Sequence, residues 1–585
     1  MMPTVPLDVV AAESDSPFPS MSLQFLQDLG MDSSDYHFMF RTPRSPASNV
    51  SVVGDGTSRI ANAESVQGHA PTTVSHPLLD GHTDTRPEAL GSTGDMDPYI
   101  LRKYRTDDHG TFKFKQLAIC LAQDEPFPVQ FLLSQPLLFG KSQEQAGHAT
   151  PGEAYLKTQL EQLVPAEMGN RLISLWFKFA AAQYPIFSSA AIPNPNKSSA
   201  HLLAAVYGIA VPFAMHDDKL CIDLAYEAFP YSTLAQVLNR SLATDLHSPS
   251  LETVQTLLLL VLRPSPSPLV SDASHRWNLM GSLVSAAVNV GLHLNPATWA
   301  LPGTYVALRR RLSFLIYSTD RLLAASLGKP PLIDRDNWLV TSLLHSDRLD
   351  SNVPDADWQC LCKLAVVAAL VDEALAKLYS LRILQSASQK PELSDMAMSL
   401  ARNLHESVHH DDHPYATNQS HQRPMHLSLA ICDLAYHYTY LLLHRAAMRT
   451  FHHLENLDGS PHLAAQAQIV RQSTRDCTEG FHAFIKNLKA EDVNGVWPPW
   501  AQAAISSLCF TQLTMVASAP THDEALDWIK RLQMTRTELR LKAKSFPILR
   551  LGLLRIDSIF WRGVDNVLHL QPHVSQAFTS FEAIT

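Results

Sequence analysis

The string His405-Glu406-Ser407-Val408-His409 carries the sharpest chemical signal in this chain. On a helix it sets two imidazoles one turn apart on one face with a carboxylate beside them, the arrangement by which zincin proteases hold zinc and activate water. Three facts weigh against a zinc hydrolase built on His405, Glu406 and His409. The chain has 27 histidines, so a chance match is not rare. The string runs directly into His410-Asp411-Asp412-His413-Pro414, which reads as a helix end and polar loop, and no Gly-x-x-His follows His409 to supply a third ligand. The expectation is a solvated loop, with no catalytic residue, no metal site and no cofactor. Nucleotide and acyl chemistry lack their motifs as well: there is no phosphate-cradling Gly-x-x-x-x-Gly-Lys, no Gly-x-Gly-x-x-Gly after a strand and no Gly-x-Ser-x-Gly elbow.

The seven cysteines stand at 120, 221, 360, 362, 432, 477 and 509, and only Cys360 and Cys362 are close. With no Cys-x-x-Cys pair, a Cys-rich zinc module and a secreted disulfide scaffold are both excluded. Two basic clusters remain, Arg309-Arg310-Arg311 and the series Lys530, Arg531, Arg536, Arg540, Lys542 and Lys544. Consecutive arginines point in three directions around a helix and cannot all face one duplex, so both clusters read as solvated or salt-bridged helix faces rather than a nucleic-acid footprint. One of the three arginines is expected to reach inward and pair with a carboxylate such as Asp320 or Asp334, because a buried guanidinium left unpaired costs too much.

The net charge of −10 over 585 residues is unevenly placed. Residues 1–97 hold 13 acidic residues against four Arg and no Lys, a balance of −9, and the rest of the chain stands at −1. This first stretch is rich in Ser, Thr, Pro, Gly and Asp and buries too little apolar surface to offset ordering entropy, so residues 1–96 are expected to be a disordered acidic tail. Residues 25–40 differ: Phe25, Leu26, Leu29, Met31, Tyr36, Phe38, Met39 and Phe40 are interleaved with Asp and Ser. That is the composition of an acidic activation segment, whose carboxylates keep bulky apolar groups in water until a partner groove takes them. The Met1 end, with Asp8, Glu13 and Asp15 and no basic residue, does not resemble a signal peptide. The longest uncharged apolar run, about 14 residues from Leu202 to Met215, falls short of the roughly 18 a spanning helix needs. A soluble protein of a reducing compartment, with no membrane partner, is the expectation.

The elements that must position these residues are helices. From 97 to 585 apolar residues recur at three- and four-residue spacing and glycine is scarce, so the body reads as a large, all-α, multi-helix domain. Helices are predicted over about 168–184, 200–215, 251–262, 274–291, 304–327, 356–384, 391–408, 424–450, 462–488, 498–517, 522–544 and 548–568. Residues 385–392 and 411–424 read as the flexible loops of the body. In the segment 275–291, Trp277, Met280, Val284, Ala287 and Val288 form one stripe, Gly291 sits where a left-handed residue is wanted, and Pro296 forbids continuation. In the next helix Leu308, Leu312, Leu315, Thr319, Leu322 and Leu323 form the buried stripe, and Gly328-Lys329-Pro330-Pro331 stops it. Trp277 and Trp299 are expected to be core anchors joining this pair.

These landmarks form a recognisable order. The run from Ser250 to Leu260, Trp277 with Gly281 and Ala286, Gly291-Leu292-His293-Leu294-Asn295-Pro296, Arg309-Arg310-Arg311-Leu312, Asp320-Arg321 and Gly328-Lys329-Pro330 resemble the regulatory domain of fungal zinc-cluster transcription factors. Asp97-Pro98-Tyr99, Tyr184-Pro185-Ile186-Phe187 and Leu434-Ala435-Tyr436-His437-Tyr438 look like the subgroup related to nitrogen-catabolism co-activators. Two departures stand out. Ser313-Phe314 replaces the family's Trp-Trp after the arginines, and the six-cysteine zinc cluster with its basic linker is missing, since no cysteine precedes Cys120. The resemblance implies a nuclear transcription regulator of a metabolic or secondary-metabolite gene cluster. DNA would be reached through another zinc-cluster factor, the body would pair with such a factor, a second copy or a small-molecule effector, and the acidic tail would recruit the transcription machinery. Alternatives left open are a truncated gene model whose missing exon encodes the zinc cluster, a helical inhibitor or scaffold of such factors, and the zinc hydrolase.

Overall fold

The computed structural model describes residue 79 and residues 85–582, apart from 108–109, 115, 150, 227–228, 266, 268–271, 300, 386–389, 391, 410–425, 453–460 and 491–492. The activation segment 25–40 lies outside the described residues, as do most of the two loops expected to be flexible.

A small sheet opens the fold. Strands β1 (Arg86–Ala89), β2 (Thr111–Phe114), β3 (Leu117–Gln123) and β4 (Val129–Ser134) pair antiparallel in the order β1-β4-β3-β2. Leu79, Cys120, Val129, Phe131, Leu133 and Trp299 form its own apolar cluster. The body is all-α in the main, as expected, with this one small sheet added. The boundary at 97 comes too late, because β1, within the stretch assigned to the tail, already hydrogen-bonds to β4.

The rest is helical, as the periodicity indicates. After α1 (Pro98–Leu101) and α2 (Gly140–Gln145) come α3 (Glu153–Leu163), α4 (Ala166–Phe179), α5 (Ala200–Ala210), α6 (Leu220–Tyr226), α7 (Tyr231–Asp245), α8 (Leu251–Leu262) and α9 (Ala273–Asn289). The long central α10 (Gly303–Leu327) leads to α11 (Asp355–Leu378), α12 (Leu381–Leu384), α13 (Glu392–His409), α14 (Leu427–His452) and α15 (Pro461–Asn487). The chain closes with α16 (Ala501–Ala517), α17 (His522–Lys542), α18 (Arg550–Arg562), α19 (Val564–Val567) and α20 (Pro572–Glu582). One hydrophobic core runs from Leu156 to Phe578 through all the larger helices.

Local chemistry sets the helix ends. Ser250 and Thr253 form a reciprocal cap at the start of α8, satisfying two otherwise orphaned donors. Thr521 accepts from Glu524 N at 3.3 Å at the start of α17, whose first turn is acidic and last turn basic, as the helix dipole favours. Gly328 adopts φ 64° and ends α10 in the left-handed conformation. Gly291, at φ 76° just past α9, sits where an added Cβ would come within 2.6 Å of the Phe131 ring, so glycine is needed there both for the turn and for docking the sheet.

The α9 stripe differs from the expected one. Arg276, Met280, Leu283, Ala286 and Ala287 are buried, whereas Val288 is exposed. Trp277 is only partly buried, with Lys329 Nζ 5.6 Å from its ring centre, so it flanks the helix pair instead of anchoring it. Trp299 is a core residue, but of the sheet cluster, packed edge-on against Phe131 at 5.3 Å. The α10 residues named as a stripe are buried, and so is every other residue from Ala307 to Ala324. A helix enclosed on all sides shows no periodicity of exposure and forms a core by itself.

Candidate functional site

The family landmarks converge on α10. Arg309, Arg310 and Arg311 are all buried, which corrects the expectation that only one turns inward. Arg309 donates from Nη1 to Val290 O at 2.9 Å, and its guanidinium lies 5.3 Å from the centre of the Trp299 ring. Arg310 donates from Nε to Asp347 Oδ1 and from Nη1 to Asn295 Oδ1, both at 2.8 Å. Arg311 donates to four main-chain carbonyls: Pro185 at 3.0 Å, Phe187 at 3.2 Å, and Asp347 and Leu349 at 2.8 Å. Burial brings Arg311 down to about 10, with Asp350 and Asp347 opposing that shift. The planar fork of arginine explains the residue type, because no other side chain offers five donors in fixed directions.

The carboxylates named beforehand have other partners. Asp320 Oδ2 accepts from Arg321 Nη1 at 2.6 Å, and its two oxygens also accept from the main-chain N–H groups of Leu332 and Ile333. Arg321 reaches Asp372 at 2.8 Å and lies 4.8 Å from the centre of the Tyr317 ring. Asp334 instead caps a short turn, accepting from Asp336 N. Pro330 is exposed beyond Gly328. His293 is held with its main-chain O accepting from Leu339 N at 2.8 Å, and burial lowers its pKa. Phe314 is fully buried, while the Ser313 hydroxyl beside it has no hydrogen-bond partner, so the pair replacing the tryptophans leaves one polar atom unsatisfied.

Arg311 also stitches two loops together. Ser189 N donates to Asp350 O at 2.9 Å, and the Ser188 hydroxyl donates to the Asp350 carboxylate; Asp350 and Asn352 both take positive φ. The chain emerging from this clamp carries Gln183 and Tyr184 into a narrow cavity of about 30 Å³, room for little more than a water molecule or two. Leu315, Ser318, Thr319 and Leu322 of α10 form one wall; Cys360, Leu361 and Leu364 of α11 and Ser428, Ile431 and Cys432 of α14 form the facing ones. Leu262, Pro498 and Trp500 close it. Gln183 Nε2 donates to Ser428 Oγ at 3.1 Å, and Ser428 in turn donates to Asp357. Gln183 Oε1 is buried with no partner. Sequence inspection missed this site because its walls come from six separate segments.

The other candidates do not assemble into chemistry. His405 and His409, on the last turns of α13, have ring centres 4.6 Å apart, and His405 Nδ1 is bonded to Tyr436 OH at 2.8 Å. Among the described residues no three His, Cys, Asp or Glu side chains come together to hold a metal ion. The basic series on α17 is largely internally paired: Arg531 with Asp527 and Glu479, Arg536 and Arg540 with Asp557, and Lys542 with Glu538. No described helix is long and apolar enough to cross a membrane.

Residues 173–359 match the model of the fungal specific transcription factor domain. It is 22% identical over 451 residues to the transcriptional activator protein DAL81 of Saccharomyces cerevisiae, covering 67% of this chain and 44% of that protein. An uncharacterized transcriptional regulatory protein of Schizosaccharomyces pombe is 20% identical over 316 residues, 52% of this chain and 46% of its own length. Cutinase transcription factor 1 beta of Fusarium vanettenii is 31% identical over 104 residues, 18% of this chain and 11% of that protein. The chain thus spans less than half the length of these curated relatives. No solved structure matches it.

Proposed function

We propose that this chain is a nuclear activator of a metabolic or secondary-metabolite gene cluster that reaches DNA through a partner carrying a zinc cluster. The observation that carries this reading is the fate of the arginines. Arg309, Arg310 and Arg311 are consumed by carbonyls and a carboxylate inside the body, and most of the α17 cations are paired with acidic side chains. Phosphate binding needs cations free to replace counterions; the buried arginines cannot serve, and pairing leaves the α17 cluster few that can. The body then serves as a platform for a zinc-cluster factor or a second copy, residues 25–40 recruit the transcription machinery, and the central cavity takes a small effector. The similarity to a transcriptional activator supports the sign of regulation.

Chromatin immunoprecipitation of the tagged protein, with and without deletion of candidate zinc-cluster partners, tests the reading. Occupancy lost on deletion of one partner is expected; occupancy that survives every deletion overturns it. Residues 1–97 fused to a heterologous DNA-binding domain should drive a reporter and lose most of that output when Phe38 and Phe40 become Ala. A fusion with no output favours an inhibitor instead.

A further inference from the structure

Two thiols from adjacent helices line one cavity. Cys360 of α11 and Cys432 of α14 are both buried and line the cavity together with Gln183, whose Oε1 is buried with no hydrogen-bond partner. None of the seven cysteines is in a disulfide. The remaining lining is mostly aliphatic, with Leu315, Leu364 and Ile431 nearest in kind to a hydrocarbon wall. Burial pushes the Cys432 thiol well above its ordinary range, and the neighbouring Cys360 adds to that effect.

This setting selects among thiol chemistries. A divalent cation needs thiolates as ligands, and desolvation in this cavity opposes their formation. Alkylation and disulfide exchange also proceed through the thiolate. A trivalent arsenic hydroxide does not have that requirement: it is uncharged, small, and condenses with thiols to give an uncharged product. Each S–H gives its proton to one arsenic-bound hydroxide, which leaves as water while an S–As bond replaces the As–O bond. Two thiols consume two hydroxides, so one hydroxyl remains on arsenic. No oxidant or reductant is required, and the remaining O–H is the donor that Gln183 Oε1 lacks.

We infer that the central cavity is a site for arsenous acid, bound as a dithiol adduct across Cys360 and Cys432 with its last hydroxyl donating to Gln183. This gives the proposed effector site a ligand class; its regulatory consequence rests on that reading, whereas the binding does not.

The test uses the full-length chain with sodium arsenite. Intact-mass measurement should show one adduct, equal to one arsenous acid less two waters, and peptide mapping should place it across Cys360 and Cys432. By equilibrium dialysis, Cys360→Ser and Cys432→Ser should each weaken binding at least tenfold, and Gln183→Leu severalfold. Cys221→Ser, at an exposed position on α6, should leave it unchanged. An adduct bridging Cys360 and Cys362, one on Cys221, or no adduct at all overturns the inference. Mapping on the wild-type chain decides the matter even where a serine variant fails to fold. Arsenite bound at this pair with no change in reporter output would uphold the site and remove its effector role.

Discussion

Replacing Arg311 by Met tests how the body holds its site. The side chains are similar in length, so packing is largely kept, but four carbonyls on two loops, three of them in buried bonds, lose their charged donors. A hydrogen bond from a charged donor contributes about 1.5–3 kcal/mol, though the four are not additive because a freed carbonyl can shift or admit water. Breaking a buried charged network typically costs about 3–5 kcal/mol, and about 4 kcal/mol is expected here. Arg309→Met, which removes the bond to Val290 O and the contacts with the Trp299 and Phe131 rings among its partners, should cost about 2 kcal/mol. For a body this large the unfolding entropy converts each kcal/mol to a shift of about 1 °C. At one fixed scan rate, Arg311→Met should therefore melt about 4 °C below wild type and Arg309→Met about 2 °C below, with Arg311→Lys in between. Limited proteolysis should find new cleavage at residues 184–191 only in the Arg311 variants. A melting point for Arg311→Met within 1 °C of wild type, or no lower than that of Arg309→Met, would refute the clamp.

Other outcomes follow from the same geometry. Burial brings His437 down to about 4, with His409 adding to the shift. The unfolded state therefore binds the extra proton between about pH 6.5 and 4, and stability is lost as pH falls through that window, about 2 kcal/mol by pH 5. His437→Gln should flatten the acid side of a plot of melting temperature against pH; an unchanged slope would assign it to other groups. Gly291→Ala should lower stability by about 2–3 kcal/mol, through the left-handed turn and the Phe131 contact, and make the sheet the first region cut by protease. If the two substitutions act on one contact, Gly291→Ala combined with Phe131→Leu should melt higher than the sum of the single losses requires.

Much of the helical body was legible because caps and breakers agreed with periodicity. Ser250 and Pro264 bracket α8 at the expected ends, and Gly328 stops α10 as its position implies. Other elements were missed for identifiable reasons. In α7, Leu234, Val237, Leu238 and Leu242 fall at helical spacing and are buried, so this helix is legible in the pattern although it is absent from the predicted elements. In β4, Val129 to Phe131 are buried without alternation, and such a short apolar run cannot be told from a helix turn by pattern alone. The arginines do point in three directions, as helical geometry requires; what no sequence pattern showed is that α10 has neighbours in all of them. The cavity is illegible for a related reason, since Gln183, Cys360 and Cys432 meet only when distant segments pack.

The enclosure of α10 bears on how this protein can be dissected. The matched stretch 173–359 ends five residues into α11, before Cys360, Leu364, Ile431 and Cys432, which cover the Leu315–Leu322 side of the helix. A fragment cut at that boundary would leave its central rod bare along one flank and should precipitate or recruit chaperones. An expression fragment intended to stay soluble must carry at least α14, and a natural transcript that stops near 359 would encode a chain destined for degradation.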